Sequence, residues 1–464
     1  MISSTSFTID QEVTLAPISP TREKHDVSID PSTKDPGEIP VDTLKVIATQ
    51  GDETEAKALI SIKAMRRKAS IQFAVLCMGN FVCGWNAGVV GPLGPRFLEA
   101  YHVGYSLLSI SFSMMAVGRV FGATTFEYLV DRIGFGAISV TASILVAIGC
   151  ALQASGVPFP VFVAASFLIG AGNAFLDVGS KAFVASQAGD STAKMMILSA
   201  ANGFGATCAP LAATRFALLA RWSLVYTISI AFAVITGISQ AITFRFRSQG
   251  ECLKEIGQRP LEIPGDSLKG VSKYKQILHV PAIHLMAFFM FAYSGAQGII
   301  DAWIITFLVE ERQGGPNTGY VSTGMYAACA IGPLVMIPLS RKLGGWRAVL
   351  LYALLALALE LVVWLVPSLI ADGVAVSLVQ FFLGTILPLV ANHVRPVIVA
   401  PELFSGAISW ISAIAPMGST VAVFVSGVIA SRTGINNLNP LVIALMGLML
   451  VTWVFVPKHR APPT

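Results

Sequence analysis

The sequence predicts an all-α membrane protein with twelve transmembrane helices in two pseudo-symmetric six-helix bundles. Three observations lead there. The chain is 54% hydrophobic and only 12% charged, where a soluble domain carries roughly 25% charged residues. It also contains twelve stretches of the ~20 apolar residues that a helix needs to cross the hydrocarbon core. The second six stretches repeat features of the first six at a nearly constant offset.

The spans lie near 70–91, 105–126, 137–155, 159–187, 194–216 and 222–245 in the first half. In the second half they lie near 280–309, 318–340, 347–366, 373–399, 406–431 and 439–457. At an offset of 210, Phe81, Gly88 and Phe97 meet Phe291, Gly298 and Phe307, and Asp131-Arg132-Ile133-Gly134 meets Arg341-Lys342-Leu343-Gly344. At 214, Phe167-Leu168-Ile169-Gly170 meets Phe381-Phe382-Leu383-Gly384, and Lys181 meets Arg395. Gly205-Ala206-Thr207 meets Gly418-Ser419-Thr420 at 213. Each match is weak alone, but five in order mark a duplicated unit. In a membrane protein such a duplication points to a transporter.

Residues 1–66 differ in kind. Up to Ile62 they hold eleven acids against five bases, with many Ser, Thr and Pro, a composition that predicts a disordered cytosolic tail. The bundles then occupy 67–245 and 280–457. A hydrophilic cytosolic linker, 246–279, reads as a surface loop, and 458–464 form a short cytosolic tail. No apolar leader precedes Ile71, so the first helix is expected to direct insertion. With the N-terminus in the cytosol, eighteen Lys and Arg fall on the inner side and five on the outer. That bias predicts that both termini are cytosolic, and the protein is expected to be a multi-pass protein of the plasma membrane. Five of the six cysteines lie in apolar helices, and Cys252 lies in the linker. They read as small core residues, with no metal-binding spacing.

The loop after the second span reads Glu127-Tyr128-Leu129-Val130-Asp131-Arg132-Ile133-Gly134. It resembles the signature loop of the major facilitator superfamily, Gly-x-x-x-Asp-Arg-x-Gly followed by basic residues. Asp131, Arg132 and Gly134 match; Glu127 and Phe135 depart. Within the superfamily, Phe167–Ser186, Trp303–Tyr326 and Ala358–Leu369 resemble the fungal branch related to the fucose–proton symporters. The resemblance implies the major facilitator fold and one central site opened alternately to each side. It also implies that the first and fourth helices of each bundle line the cavity, while the third and sixth face lipid. The signature loop and its second copy then supply gate residues: Asp131, Arg132, Arg341 and Lys342.

Ionisable groups inside membrane helices need a partner or a cavity. Six stand out: Arg119, Lys181, Arg395, Asp177, Asp301 and Glu360. Asn173, Asp177 and Lys181 follow i, i+4, i+8 on one helix face, so the last two can pair. Lys181 and Arg395 sit at equivalent inner positions. They read as gate residues countered by Asp131, Asp177 and Glu402, or alternatively as attractors of an anionic substrate. Tyr293, Gln297 and Asp301 repeat the i, i+4, i+8 spacing on the seventh span. Tyr293 and Gln297 sit at mid-membrane, where they either touch substrate or tie helices together.

Asn86, Asn173, Tyr293, Gln297, Thr385 and Asn392 are the candidate substrate contacts. Asp301 and Asp177 are the candidate proton carriers, Asp301 ahead because it has no base nearby on its own helix. The first span carries no carboxylate between Ile71 and Gly91, a departure from the bacterial fucose–proton pattern. Glu360 lies on a helix expected at the periphery and reads as structural. His393 reads as a hydrogen-bonded buried histidine before a functional one, and Arg119 either pairs with Asp131 or faces the cavity.

These features predict a secondary active transporter exporting a small organic molecule, with a proton-coupled importer of a sugar or similar nutrient as the alternative. The expected partners are substrate, membrane lipid and, for coupling, protons. No nucleotide-binding loop is present, so neither nucleotide nor nucleic acid is expected, and no cofactor. The six histidines form no ligand spacing with acids, so metal and catalytic residues are both read as none. The protein is not expected to be an enzyme.

Overall fold

Long apolar runs without interior turn signals fold here as helices, and the helices recover the duplicated pattern. A computed structural model of the chain describes residues 41–187, 191–257, 279–397 and 404–458. The first bundle contains α1 (Val41–Tyr101), α2 (Tyr105–Ile133) and α3 (Phe135–Ala154). It continues with α4 (Phe159–Ala185), α5 (Ser191–Ala217) and α6 (Val225–Phe244). A short helix, α7 (Gln249–Glu255), follows. The second bundle runs α8 (Pro281–Glu310), α9 (Val321–Val335), α10 (Ile337–Leu343) and α11 (Gly345–Leu365). It closes with α12 (Leu369–Val397), α13 (Phe404–Thr433) and α14 (Leu438–Phe455). Among the described residues, eleven helices are long and apolar enough to cross a membrane, and α9 with α10 form a twelfth, bent span.

The repeat is visible in atomic contacts. A Cβ on Gly118 of α2 would lie 2.3 Å from the Phe167 carbonyl of α4, and one on Gly332 of α9 would lie 2.2 Å from the Phe381 carbonyl of α12. The same crossings are closed from the other side by Gly170 on Met115 and Gly384 on Cys329. Each residue of the first crossing meets its counterpart in the second at an offset of 214. Gly205 on Phe81 and Gly418 on Phe291 form a like pair of crossings for α1–α5 and α8–α13. No driving force of apolar burial brings helices together in lipid, so close backbone approach at small residues is what holds them.

Four differences from the sequence reading have physical causes. The tail does not stay disordered up to residue 66, because α1 begins at Val41. Residues 41–66 contain no proline and are rich in Ala, Leu, Lys and Glu, which favour helix. Residues 1–40 lie outside the described residues. At its other end α1 passes through Pro92 and Pro95 to Tyr101, so Arg96 is on the helix, paired with Glu99. The eighth span is not straight. It bends by 52° between Val335 and Ile337, where Pro333 and Pro338 each remove a helical N–H.

The linker is not wholly a loop. Ser248 and Glu251 form a capping box that starts α7. Cys252 and Leu253 are buried there, and the Gln72 amide donates to the Cys252 carbonyl at 3.3 Å. Burial pushes the Cys252 thiol up to about 11. The linker's residues 258–278 lie outside the described residues.

The exposed faces are apolar, as lipid requires. Ile144 and Ile148 on α3, Ile235, Ile238 and Ile242 on α6, Leu354 and Leu365 on α11, and Val451 and Phe455 on α14 are all exposed. These are the third and sixth spans of each bundle. A protein in water would not leave such rows uncovered.

Candidate functional site

The hydrogen bonds and ring contacts that join the two bundles cluster at the end remote from the start of α1. The Ser106 amide and hydroxyl both bond Ser431 Oγ, at 2.8 and 2.6 Å. Ser113 Oγ donates to the Thr420 carbonyl at 3.3 Å, and the Tyr105 hydroxyl bonds Glu310. Trp303 of α8 packs against Tyr105 and Phe112 of α2, with ring centroids 5.8 and 5.5 Å apart. Arg215 lies over the Tyr320 ring. The opposite end, which carries both ends of the described chain, exposes Glu127, Asp131, Arg132, Arg341 and Lys342. Among the described residues, then, the bonded contacts between the bundles gather at the first end, and the signature-loop side chains at the second are exposed.

About 14–22 Å from the helix ends on that side, at 1.5 Å per residue, polar side chains of both bundles share a layer. Asn86 of α1 donates to Asn173 Oδ1 of α4 at 3.1 Å, and both are buried. Asn173 Nδ2 has no partner among the described residues. A cavity of about 20 Å³, lined in part by Asn86, Ser111 and Gln153, adjoins this pair. It is large enough for one water. From the second bundle, Gln380 of α12 donates to Asp301 Oδ1 of α8 at 2.9 Å. Gln297 is half-buried one turn away.

Arg119 of α2 occupies the same depth. Its side chain is exposed, and among the described residues it forms no hydrogen bond or ion pair. Its charge nevertheless reaches Cys83 of α1 and, across the gap, Asp301 and Tyr326. The alternative partner, Asp131, is not bonded to it. Asp301 therefore does have a base in electrostatic reach, supplied by the facing bundle where helix spacing could not reveal it.

Deeper toward the open end, Lys181 Nζ and Asp177 Oδ2 pair at 2.8 Å, with 47% and 34% of their side chains exposed. The i, i+4 spacing foretold this pair, and its solvation keeps its contribution to stability to about 1 kcal/mol or less. Lys194 caps the neighbouring loop by donating to Gln187. The side chains of Asn392 and Arg395, and all of Glu402, lie outside the described residues.

Three residues turn out to be ties. The Tyr293 hydroxyl donates to the Leu383 carbonyl at 3.0 Å and is buried. The Thr385 hydroxyl donates back to the Phe381 carbonyl at 2.9 Å, against Gly332. His393 Nε2 meets the Pro457 carbonyl at 3.0 Å, with its ring beside Trp453. Glu360 is buried away from the layer. It lies in electrostatic reach of Asp372, which Arg312 holds at 2.6 Å while also donating to the Val363 carbonyl at 3.0 Å. Sequence reasoning passed over Arg312 because it looked like an outer-loop charge.

The family signature of the Major Facilitator Superfamily matches residues 76–396. The chain belongs to the Major Facilitator Superfamily. It is a transporter, not an enzyme, and a protein of many membrane spans that takes a small-molecule substrate, as the superfamily does. It is similar to the Saccharomyces cerevisiae protein "Bypass of stop codon protein 6", 24% identical over 407 residues, covering 83% of this chain and 82% of that one. Its fold is similar to the crystal structure of a bacterial homolog of the human lysosomal transporter Spinster, solved inward-facing and unoccupied. The TM-score is 0.68 at 12% identity, over 84% of this chain and 94% of that one.

Proposed function

We propose that this superfamily member is a secondary active carrier that exports a small organic molecule across the plasma membrane by alternating access. One observation carries the reading: a polar layer contributed by both bundles, closed off by Trp303, Tyr105 and Ser106 on one side, with no bonded contact between the bundles among the described residues on the other. The excess of Lys and Arg on the open side makes that side cytosolic, so the structure is read as inward-open, the state expected to load an exported solute. Asn86, Asn173 and Gln297 are the substrate contacts in this reading, Asp301 the proton carrier, and Asp131, Arg132, Lys181, Arg341, Lys342 and Arg395 the gate.

The test is efflux from cells preloaded with labelled metabolites, compared with uptake of labelled sugars by the same cells. Efflux that disappears when the gene is deleted supports export. Uptake of a sugar driven by an inward proton gradient would instead support the second reading, an importer of the fucose–proton type. That reading draws on the three segments that resemble the fungal branch and on the Gln380–Asp301 contact.

A further inference from the structure

Tyr105, Phe112 and Arg119 recur at seven-residue intervals along α2, so they fall within about 40° of one another around the helix. The first two pack on Trp303 of the facing bundle. Arg119 continues that stripe past the Trp303 contact, and no ring among the described residues is stacked on its guanidinium. Its neighbours in sequence, Gly118 and Gly122, are buried against α4, so Arg119 lies about 80° round the helix from that contact, on the side that faces Trp303. The exposure of its side chain agrees.

Among the described residues no carboxylate is bonded to it. Asp177 is taken by Lys181 at 2.8 Å. Asp301 is held by Gln380 at 2.9 Å and influences Arg119 only from across the gap. A guanidinium at mid-membrane without a bonded counter-ion is expensive, and its planar fork matches a carboxylate. From this geometry we infer that Arg119 is the anion-binding residue of the cavity and that the carried solute bears a carboxylate. The inference rests on the carrier reading for its solute path, but the placement of Arg119 can be tested separately.

The test uses full-length protein with Cys77, Cys208 and Cys329 replaced by alanine and a reporter Ala123→Cys, one turn from Arg119 toward the open end. The reporter thiol is labelled with an anionic and with a cationic methanethiosulfonate, and the ratio of rates is compared with and without Arg119→Gln. A fixed charge about 6 Å away in a water-filled gap changes that ratio by about tenfold. A ratio that stays within twofold overturns the placement. Protection of the reporter thiol from a neutral maleimide is then measured with benzoate against benzamide, nicotinate against nicotinamide, and lactate against lactamide. A carboxylate should protect where its amide does not, and the protection should vanish in Arg119→Gln and survive in part in Arg119→Lys. Equal protection by acid and amide, protection persisting in Arg119→Gln, or none by any acid of the set overturns the substrate class. Failure of the carrier reading would show as no solute flux in either direction, which leaves the reagent ratio at the reporter unchanged.

Discussion

Gln380 donates its side-chain amide to the carboxylate of Asp301, 79 residues away, and this bond links α12 to α8 at the depth where the cavity is polar. It holds one oxygen of the carboxylate and leaves the other without a hydrogen-bond partner among the described residues. Asp301→Asn keeps the hydrogen bond's geometry and removes the ionisable site. If transport is proton-coupled, pH-driven accumulation is expected to disappear in the variant, with exchange of labelled for unlabelled substrate kept. Accumulation that persists in the variant would move coupling to Asp177 or His393, or make the protein a facilitator.

The glycine crossings should tolerate no side chain. In Gly118→Ala or Gly332→Ala the new methyl would meet a carbonyl at 2.2–2.3 Å. Helix separation and loss of about 1–3 kcal/mol are expected, seen as a lower melting temperature in detergent. Gly447→Ala, which meets nothing within 4 Å, serves as the control and should be neutral or slightly stabilising. Equal effects at all three positions would contradict close crossing as the source of cohesion.

Arg312 is expected to matter for stability more than for transport. Its partner Asp372 is fully buried and Arg312 itself is only 10% exposed. Arg312→Ala leaves that carboxylate uncompensated beside Glu360, a loss of the order of 3–5 kcal/mol. Thermal unfolding of the purified variant measures it, and an unchanged midpoint would show that the cluster is solvated.

Asp131 is exposed in this open state and makes no hydrogen bond or ion pair among the described residues. If it latches the bundles only when this end closes, Asp131→Asn leaves the melting temperature as it is and lowers flux. Normal flux in a well-expressed variant would remove the latch.

Lys181→Gln separates gate from binding site. A gate residue should shift the population of the open state and slow neutral solutes too. Alkylation of a cysteine introduced in place of Ser186 reads that population. Unchanged labelling with weaker inhibition by anions only would make Lys181 a substrate contact.

Composition and the repeat were enough to specify the spans, the duplication and the i, i+4 pair of Asp177 and Lys181, because each depends on spacing along one helix. The crossings at Gly118 and Gly332 were legible in the same way once the offset was known. The capping box at Ser248 and Glu251 was present in the sequence as a signal and was passed over. Tertiary structure alone decided the rest. Tyr293 shares its type and depth with the proposed cavity contacts, and only the position of Leu383 turns its hydroxyl inward; Thr385 instead bonds the Phe381 carbonyl one turn back on its own helix, a local option the sequence already allowed. Arg119, Asp301 and Gln380 come from three helices far apart in sequence. They come within reach of one another because two bundles pack together, and that relationship between bundles leaves no periodic trace in any one helix.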